Sequence, residues 1–511
     1  MKKILITTPI YYVNDLPHIG HAYTSVICDV LARYNRLNGN SVKFLTGTDE
    51  HGQKVENAAL KKNIDPLKFV NQVSQNFFKL TDFLNLTNTD FIRTTQNRHK
   101  TSVQFFWQRL VENNQIYLAD YEGWYSIKDE CFFQEKELVK NGNNFVTRDG
   151  SNVEKIKEES YFFRLSNWQN NLLDFYEKNK DFIKPESRRN EVISFVKNGL
   201  KDLSISRTSF KWGIKVPNDE KHLVYVWLDA LTNYITALNY PSVDQDFKEY
   251  WENSTHIIGK DILKFHAVYW PAMLMAVKLN PPREILAHGW WTNEGKKISK
   301  SLGNTIDPKI LVDKFGADQF RYFMLREVPL GQDGDFSEKS FIKRINSDLS
   351  NSLGNLIQRT LKLHFKHFEN KVQISLHEIR ISQEILDEGY SLFSTIDKNI
   401  ENFEYNKALE KIWSYIDKLN QYIDKQEPWN LVKEDKTKAS EVLTLLIESF
   451  RLIGIILQPF TPESANKILN LLNIDFKERE FSFCRKEYCI SKGTIINEPK
   501  SLFPRYNDQI S

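Results

Sequence analysis

The stretch Lys3-Ile4-Leu5-Ile6-Thr7-Thr8 and the motif His18-Ile19-Gly20-His21 that follows it decide the fold of this chain. The first stretch has the composition of a β-strand, and a helical pattern runs from about Ala22 to Leu37. A strand, a tight turn and a helix N-terminus together present backbone N–H groups and the positive end of the helix dipole to an anion. Gly20 lets a ligand approach the backbone, and the two imidazoles can each donate a hydrogen bond to a phosphate oxygen. These residues predict a phosphate-binding site at the start of a helix.

The composition is that of a soluble globular protein with several domains. The chain has 511 residues, of which 41% are hydrophobic and 26% charged, and its net charge is +3. Four cysteines are too few for a disulfide framework and fit a reducing compartment. The N-terminus lacks the features of a signal peptide, and no segment reaches the apolar length of a membrane span. We therefore expect a cytoplasmic protein without membrane segments.

The N-terminal part alternates strand and helix signals. Ser41-Val42-Lys43-Phe44-Leu45-Thr46 predicts a second strand, which leads into the polar segment Gly47-Thr48-Asp49-Glu50-His51-Gly52. Parallel sheets bind ligands at the carboxyl ends of their strands. The pattern predicts an α/β fold with a doubly wound, Rossmann-like parallel sheet. The sheet is expected to resume at Val224-Tyr225-Val226-Trp227, His256-Ile257-Ile258-Gly259 and Glu284-Ile285-Leu286-Ala287-His288-Gly289.

The C-terminal part has helical periodicity. Two sets of apolar positions each fall on one helical face: Leu409, Ile412, Trp413, Ile416, Leu419 and Ile423, then Val442, Leu445, Leu446, Leu452, Ile453 and Ile456. They predict an all-α bundle. The expected domains are residues 1–115 (first half of a nucleotide-binding domain), 116–222 (an insertion), 223–296 (second half of the nucleotide-binding domain), 297–346 (a lysine-containing loop and the region after it) and 347–511 (helical bundle).

A second phosphate signal lies at Lys296-Lys297-Ile298-Ser299-Lys300-Ser301. Lysines can neutralise charge on a departing pyrophosphate, and the serine hydroxyls can donate hydrogen bonds. Alone, such a loop is usually a solvated turn. An early His-Ile-Gly-His and a later Lys-Ile-Ser-Lys-Ser, separated by an insertion, resemble the two signatures of class I aminoacyl-tRNA synthetases.

Within that class the chain resembles the methionyl-tRNA synthetases over almost its whole length. The similar segments are Thr8-Pro9-Ile10-Tyr11-Tyr12-Val13-Asn14, residues 44–52, Val224-Tyr225-Val226-Trp227-Leu228-Asp229-Ala230, residues 258–266 and Leu502-Phe503-Pro504-Arg505. The resemblance implies a methionine–tRNA ligase, which joins methionine to ATP as methionyl-adenylate and then transfers it to the 3′-terminal adenosine of initiator and elongator tRNA(Met). ATP is a substrate here and is expected to arrive with Mg²⁺.

The resemblance also implies roles for individual residues. Catalysis falls to His18, His21, Lys297 and Lys300, and ATP binding to these four with Gly20, Asp261 and Ser299. The methionine-binding residues would be Ile10, Tyr12, Asp49, Trp227, Ala230, Leu231, Tyr234 and His266. Aromatic walls favour a thioether, and an aspartate can pair with the α-ammonium. The alternatives are that the aromatic residues belong to an ordinary core and that Asp261 is a structural carboxylate.

The bundle carries a candidate anticodon site. Asn351, Asn355 and Arg359 recur every four residues, and together with Trp429 they match the positions that read the anticodon in the family. Tryptophan can stack on an unpaired base, while asparagine and arginine can read base edges. The alternative is a polar helix face beside a buried tryptophan.

The insertion departs from the zinc-binding relatives. Ser126 and Asp129 stand where the first pair of thiolates would be, and Cys131 has no nearby cysteine or histidine in the sequence. A structural zinc needs four such ligands, so no zinc is predicted. The insertion is also too short for a large editing domain. The resemblance is to a short form without a C-terminal dimerisation module, so a monomer is expected.

Three other functions could be read from parts of this sequence. A cysteinyl-tRNA synthetase would need zinc ligands at the amino-acid site, which the sequence lacks. A catalytically silent tRNA-binding paralogue would be free to lose His18, His21, Lys297 and Lys300, all of which are present. A nucleotidyltransferase would not explain the set of residues in the bundle.

Overall fold

The structure, a computed structural model, describes residues 1–13, 16–128, 131–133, 135–142, 144–148, 150–298 and 304–507. The strands are β1 Lys3–Thr7, β2 Tyr11–Tyr12, β3 Ser41–Asp49, β4 Asp90–Arg93, β5 Ile116–Ser126, β6 Cys131–Phe133, β7 Leu138–Asn141, β8 Asn144–Thr147, β9 Glu154–Phe163, β10 Ile183–Lys184, β11 Leu203–Ser204, β12 Ser206–Arg207, β13 Lys215–Val216, β14 Asp219–Val224, β15 Ser254–Gly259, β16 Glu284–His288, β17 Trp291–Asn293, β18 Lys296–Lys297 and β19 Gly334–Phe336.

The α-helices follow the same chain order. They are α1 Ile19–Leu37, α2 Gln53–Lys61, α3 Pro66–Phe83, α4 Asn97–Glu112, α5 Gln169–Lys178, α6 Glu186–Lys197, α7 Val226–Thr236, α8 Gln245–Trp251, α9 Trp270–Ala276, α10 Pro308–Phe315, α11 Ala317–Arg326, α12 Glu338–Arg344, α13 Asn355–His367, α14 Gln383–Glu401, α15 Tyr405–Gln426, α16 Pro428–Glu434, α17 Lys436–Leu457 and α18 Pro462–Leu471. A wider π-helical stretch, Ile345–Gly354, joins α12 to α13. Among the described residues, no helix is both long enough and apolar enough to cross a membrane.

A parallel sheet of seven strands forms the centre of the N-terminal part, which confirms the predicted fold class. Its order is β10-β16-β15-β1-β3-β2, with β4 also paired to β3. The pairs β1–β3 and β1–β15 are parallel, so the carboxyl ends of the central strands meet at one edge. This edge is where an open parallel sheet binds its ligands.

Two sequence-based assignments differ from the structure. Val226 and Trp227 do not belong to the parallel sheet: β14 ends at Val224 in a small antiparallel sheet, and α7 begins at Val226. A short apolar run fits a buried strand and a buried helix equally well, and almost all of α7 is buried. In addition, β10 pairs with β16 although it lies within the predicted insertion of residues 116–222. The domain boundaries themselves stay predictions.

Element ends differ by a few residues elsewhere. β3 runs on to Asp49, past the predicted end at Thr46, and α1 begins at Ile19, three residues before the predicted Ala22. The early start of α1 has a local cause. The side chain of His18 accepts a hydrogen bond from the backbone of the first turn, and the side chain of His21 accepts one from the backbone N–H of His18. This reciprocal arrangement is a capping box, which fixes where a helix begins.

The C-terminal part is the predicted helical bundle. The six apolar residues assigned to one face of α15 are all buried. In α17, however, every residue from Val442 to Leu457 is buried, because α13, α14, α15, α16 and α18 all pack around this central helix. One continuous apolar cluster joins α1, α11 and the bundle helices.

Candidate active site

The His18–His21 motif lies at the N-terminus of α1 with both imidazoles held by the backbone. Nδ1 of His18 accepts a hydrogen bond from the backbone N–H of Gly20 at 3.1 Å, and Nδ1 of His21 accepts one from the N–H of His18 at 3.1 Å. The ring centroids are 3.9 Å apart. Because Nδ1 is the acceptor in both rings, the proton of each neutral imidazole is on Nε2. The helix cap thus sets the tautomer of both residues.

Gly20 is required by this close packing of the His18 ring. A Cβ at position 20 would lie 2.9 Å from Cε1 and 3.1 Å from Nδ1 of His18. A larger residue would force the ring to shift and would weaken its hydrogen bond. The glycine therefore holds a catalytic candidate in place as well as leaving room for a ligand.

The predicted substrate-binding residues lie around one cavity of about 1470 Å³ at the carboxyl edge of the sheet. It is lined by all the residues predicted for methionine and by four of those predicted for ATP: Ile10, Tyr12, His18, Gly20, His21, Asp49, Trp227, Ala230, Leu231, Tyr234, Asp261 and His266. They come from separate parts of the chain that the sheet brings together. The volume is sufficient for an amino acid and a nucleotide side by side.

An aromatic wall closes one side of the cavity. The ring of Trp227 stacks on that of Phe265 with centroids 3.7 Å apart and planes 6° from parallel. The hydroxyl of Tyr234 is 2.7 Å from Nε2 of His266, whose Nδ1 is 3.0 Å from the carbonyl oxygen of Ile262. Since a carbonyl can only accept, Nδ1 of His266 carries the proton and Tyr234 donates to Nε2.

Burial keeps this histidine neutral. It lowers the pKa of His266 to about 4, while the Ile262 carbonyl raises it by less. Burial likewise raises the pKa of Tyr234 above its usual range. The pair is therefore uncharged at neutral pH, and the wall presents polarizable rings with one fixed hydroxyl.

Asp49 is the carboxylate at the end of β3. It is 7% exposed and lines the cavity. The next two residues are held by hydrogen bonds to their backbone. The hydroxyl of Tyr12 donates to the carbonyl oxygen of His51 at 2.9 Å, and Nε1 of Trp212 donates to the carbonyl oxygen of Glu50 at 2.6 Å. A carboxylate in this position can bind an ammonium group.

Asp261 also lines the cavity. Its Oδ1 accepts a hydrogen bond from Nε1 of Trp290 at 3.0 Å. The Lys260 ammonium lies 4.3 Å from the centre of the Trp290 ring and forms an ion pair with Asp333 at 2.7 Å. The carboxylate is thus oriented by an indole, which is consistent with both the ribose-binding and the structural interpretation.

The lysine loop is described only in part. Lys297 lies in β18, which pairs antiparallel with β17, and the next residue, Ile298, lines the cavity. Ser299, Lys300 and Ser301 lie outside the described residues. Their predicted contacts with ATP therefore stay predictions, although Ile298 and Thr305 on either side of the undescribed stretch both border the cavity.

Several cavity residues were not predicted from the sequence. Thr24, one turn after His21, lies with its hydroxyl 2.8 Å from Nε2 of His288, and both residues line the cavity. His288 is the last residue of β16. A polar residue at the carboxyl end of a buried strand could have been predicted to reach the cavity. Phe265 and Trp290 carried no signal, because an aromatic residue in the sequence does not reveal its stacking partner.

The candidate anticodon residues lie on the bundle. Asn351 and Asn355 are exposed, and Arg359 on the same face is partly exposed. The Arg359 guanidinium donates to Asp424 at 2.7 Å and to Asn420 at 3.2 Å, both on α15. Trp429, in the first turn of α16, is 39% exposed. The tryptophan is accessible, contrary to the alternative in which it is buried in the core.

No group of three or more potential metal ligands occurs in the part of the chain that the structure describes. Ser126 is buried at the end of β5, and Asp129 lies outside the described residues. The absence of a structural zinc therefore stays a prediction.

The chain also matches known families and proteins. The family model "tRNA synthetases class I (M)" matches residues 4–148 and 141–361, and the model "Anticodon binding domain of methionyl tRNA ligase" matches residues 380–510. The chain belongs to the methionyl-tRNA synthetases. The methionine–tRNA ligase of Rickettsia felis is 55% identical over 99% of both chains, and that of Brucella suis is 47% identical over 99% of this chain and 98% of the relative.

Solved structures of the family share the fold. The methionyl-tRNA synthetase of Mycobacterium tuberculosis in complex with methionyl-adenylate superposes with a TM-score of 0.96 at 42% identity, covering 99% of this chain and 100% of that one. Its apo form superposes with a TM-score of 0.89 at 40% identity, covering 100% and 99%. The chain is thus a methionine–tRNA ligase, an enzyme of translation. By TM-score it superposes better on the adenylate-bound relative than on the free one.

Proposed function

We propose that the cavity at the carboxyl edge of the sheet binds methionine and ATP side by side and joins them as methionyl-adenylate. The observation that carries this proposal is the common cavity: residues that the family resemblance assigns to the amino acid and residues that it assigns to the nucleotide line one space. The similarity to an adenylate-bound relative supports it. The second step would transfer methionine to the 3′-terminal adenosine of initiator or elongator tRNA(Met).

In the first step the methionine carboxylate oxygen forms a bond to the α-phosphorus of ATP, and the bond from that phosphorus to the pyrophosphate oxygen breaks. The nucleophile is already an anion, so no general base is required. Positioning and charge stabilisation supply the rate enhancement. The Nε2–H groups of His18 and His21, together with the N-terminus of α1, would stabilise the phosphate oxygens, and Lys297, Ser299 and Lys300 the departing pyrophosphate. We propose that Mg²⁺ arrives with the triphosphate as part of the substrate.

Methionine would lie between Asp49 and the aromatic wall. Asp49 pairs with the α-ammonium, while Trp227, Tyr234 and His266 surround the thioether, with Ile10, Tyr12, Ala230 and Leu231 completing the apolar surface. A polarizable sulfur gains from aromatic contacts. A neutral His266 matters here because an imidazolium would be costly to bury beside an uncharged side chain.

The bundle would read the anticodon. Trp429 offers a stacking surface, and Asn351, Asn355 and Arg359 offer donors and acceptors for base edges. Asp424 and Asn420 hold the guanidinium of Arg359 in one orientation before RNA binds.

We further propose that the protein acts in the cytoplasm as a monomer without structural zinc. A species of twice the 60.2 kDa chain mass in native mass spectrometry, or stoichiometric zinc, would contradict these last points.

The substitution Asp49→Asn tests the methionine site. Loss of a buried charge partner for the ammonium should raise the KM for methionine in ATP–pyrophosphate exchange by roughly 100-fold, with little change in the KM for ATP. Asp82→Asn, at an exposed position on α3, is the matched control and should leave both constants unchanged. Equal effects of Asp49→Asn on methionine and ATP would contradict the assignment.

A further inference from the structure

Three buried titratable side chains meet behind the methionine side of the cavity without lining it. They are His51, two residues after the end of β3; His99, in the first turn of α4; and Asp229, on α7. Their exposed side-chain fractions are 4%, 0% and 1%. Nothing in the proposed reaction uses them, so their arrangement needs another explanation.

Both oxygens of the Asp229 carboxylate are occupied. Nδ1 of His51 donates to Oδ2 at 2.7 Å, and Nε2 of His99 donates to Oδ1 at 2.7 Å. The other nitrogen of His99 lies 3.2 Å from Oγ1 of Thr236, the last residue of α7. Each histidine therefore has a fixed orientation, and the carboxylate connects three elements that are distant in sequence.

The carboxylate is ionised despite its burial. Burial alone would raise its pKa, but the two histidines outweigh this effect and lower the pKa of Asp229 to about 2. Hydrogen bonds to a buried carboxylate are stronger than neutral ones. Such a cluster holds its elements together more firmly than a surface pair would.

The elements that it connects carry the two sides of the proposed methionine site. His51 follows Asp49 on a short anchored segment. Asp229 lies on α7 between Trp227 and Ala230, which face the cavity. The distance between the ammonium-binding carboxylate and the aromatic wall thus depends on the contact between His51 and Asp229, with His99 supporting the carboxylate from behind.

We propose that Asp229, held by His51 and His99, is a positioning residue for methionine that sets the separation of Asp49 from the wall on α7. This proposal rests on the proposed role of Asp49 in binding the ammonium. Because the residues proposed for ATP lie at the start of α1, after β15 and in the lysine loop, the cluster should affect binding of the amino acid and leave binding of the nucleotide unchanged. A cluster that only stabilised the fold would affect binding of methionine and of ATP alike.

The test compares Asp229→Asn with the wild-type chain in ATP–pyrophosphate exchange. The carboxamide keeps the shape of the side chain but has only one accepting oxygen, so one histidine loses its acceptor. The KM for methionine should rise about tenfold, the effect of one moderately weakened contact, while the KM for ATP stays within about twofold. Equal changes in both constants, or none, would overturn the proposal.

A pair of variants at His99 keeps the test decisive if Asp229→Asn does not fold. His99→Gln retains an N–H donor near the position of Nε2 and should keep a methionine KM close to that of the wild type. His99→Leu removes the donor and should raise it. The same methionine KM for both variants would mean that the hydrogen bond has no positioning role.

Glu448→Gln is the matched control for the loss of a buried charge. Glu448 is fully buried in the bundle, where it accepts hydrogen bonds from Arg451 at 2.6 Å and from the hydroxyl of Tyr390 at 2.9 Å. This variant should lower the melting temperature without changing the methionine KM. If Asp49→Asn leaves that KM unchanged, the proposed methionine site fails; if only the Asp229 and His99 variants leave it unchanged, the positioning role fails alone.

Discussion

The parallel-sheet region and the helical bundle place their candidate sites in opposite ways. In the sheet region the site is a cavity at strand ends, surrounded by buried polar groups such as His266, Asp49 and Asp229. In the bundle the candidate residues project from helix surfaces, and Trp429 is 39% exposed. A reaction at phosphorus gains from preorganised groups in an enclosed space, whereas a tRNA loop needs an open surface. The difference indicates that each region does one part of the work.

The two regions are nevertheless joined by a buried charge cluster. Asp29 on α1 forms ion pairs with Arg321 on α11 and with Arg33, both at 2.7 Å. Arg321 also donates to the carbonyl oxygens of Pro459 and Phe460, just after α17. Thus the helix that carries the histidine motif is connected through one guanidinium to the central helix of the bundle.

The largest effect is expected on adenylate formation, from Lys300→Ala. Losing a cation that stabilises the departing pyrophosphate should slow adenylate formation by roughly a thousandfold, with methionine binding almost unchanged. Single-turnover adenylate formation and equilibrium methionine binding measure the two quantities. Lys309→Ala, which removes an exposed lysine paired with Asp313 on α10, should change neither. A parallel loss of methionine binding in Lys300→Ala would show that the role assigned to the loop is wrong.

The next effect belongs to the bundle. Trp429→Ala should reduce kcat/KM for tRNA aminoacylation by roughly 30-fold, which is the loss expected when one base can no longer stack on an aromatic ring. It should leave ATP–pyrophosphate exchange unchanged. Phe476→Ala removes another exposed aromatic ring, 79% exposed, and should affect neither activity. Loss of exchange in Trp429→Ala would break the separation between the two regions.

A smaller effect is expected from Gly20→Ala. The new Cβ would displace the His18 ring by a few tenths of an ångström or more and weaken its hydrogen bond to the helix backbone. We expect the exchange rate to fall about tenfold with little change in melting temperature. An unchanged rate would show that the orientation of His18 does not matter for the reaction.

The smallest effect is one of pH on the bundle. Burial lowers the pKa of His364 to about 4, below its ordinary value of 6.5. The unfolded chain therefore binds the proton more readily between these values, and the stability that the neutral ring contributes is complete above pH 6.5 and is lost as the pH falls toward 4. His364→Leu should reduce the slope of unfolding free energy against pH in this range by at most about 1.4 kcal/mol per pH unit. Urea denaturation measures the slope, and His377→Leu, at an exposed position, should not change it.

The sequence predicted best what depends on local pattern. The strand at residues 3–7, the helix after His18, and the buried face of α15 follow from composition and periodicity, whereas the capping box that starts α1 at Ile19 was not predicted. The assignment of Val226 and Trp227 to a strand was wrong because a short apolar run does not distinguish a buried strand from a buried helix.

Side-chain pairs between distant segments could not be predicted. Asp229 is 178 residues from His51 and 130 from His99, and no spacing rule connects them. The same holds for the contact of Thr24 with His288, 264 residues apart. The motifs located the cavity, but its supporting contacts depend on packing that a single sequence does not express.

The most direct test of this account is ATP–pyrophosphate exchange by the full chain, without tRNA, with each standard amino acid in turn. Methionine alone should support exchange, because the cavity of the sheet region is proposed to complete the first step by itself. Exchange only with isoleucine or cysteine would contradict the methionine site. No exchange with any amino acid would contradict catalysis in this cavity and favour a silent tRNA-binding protein.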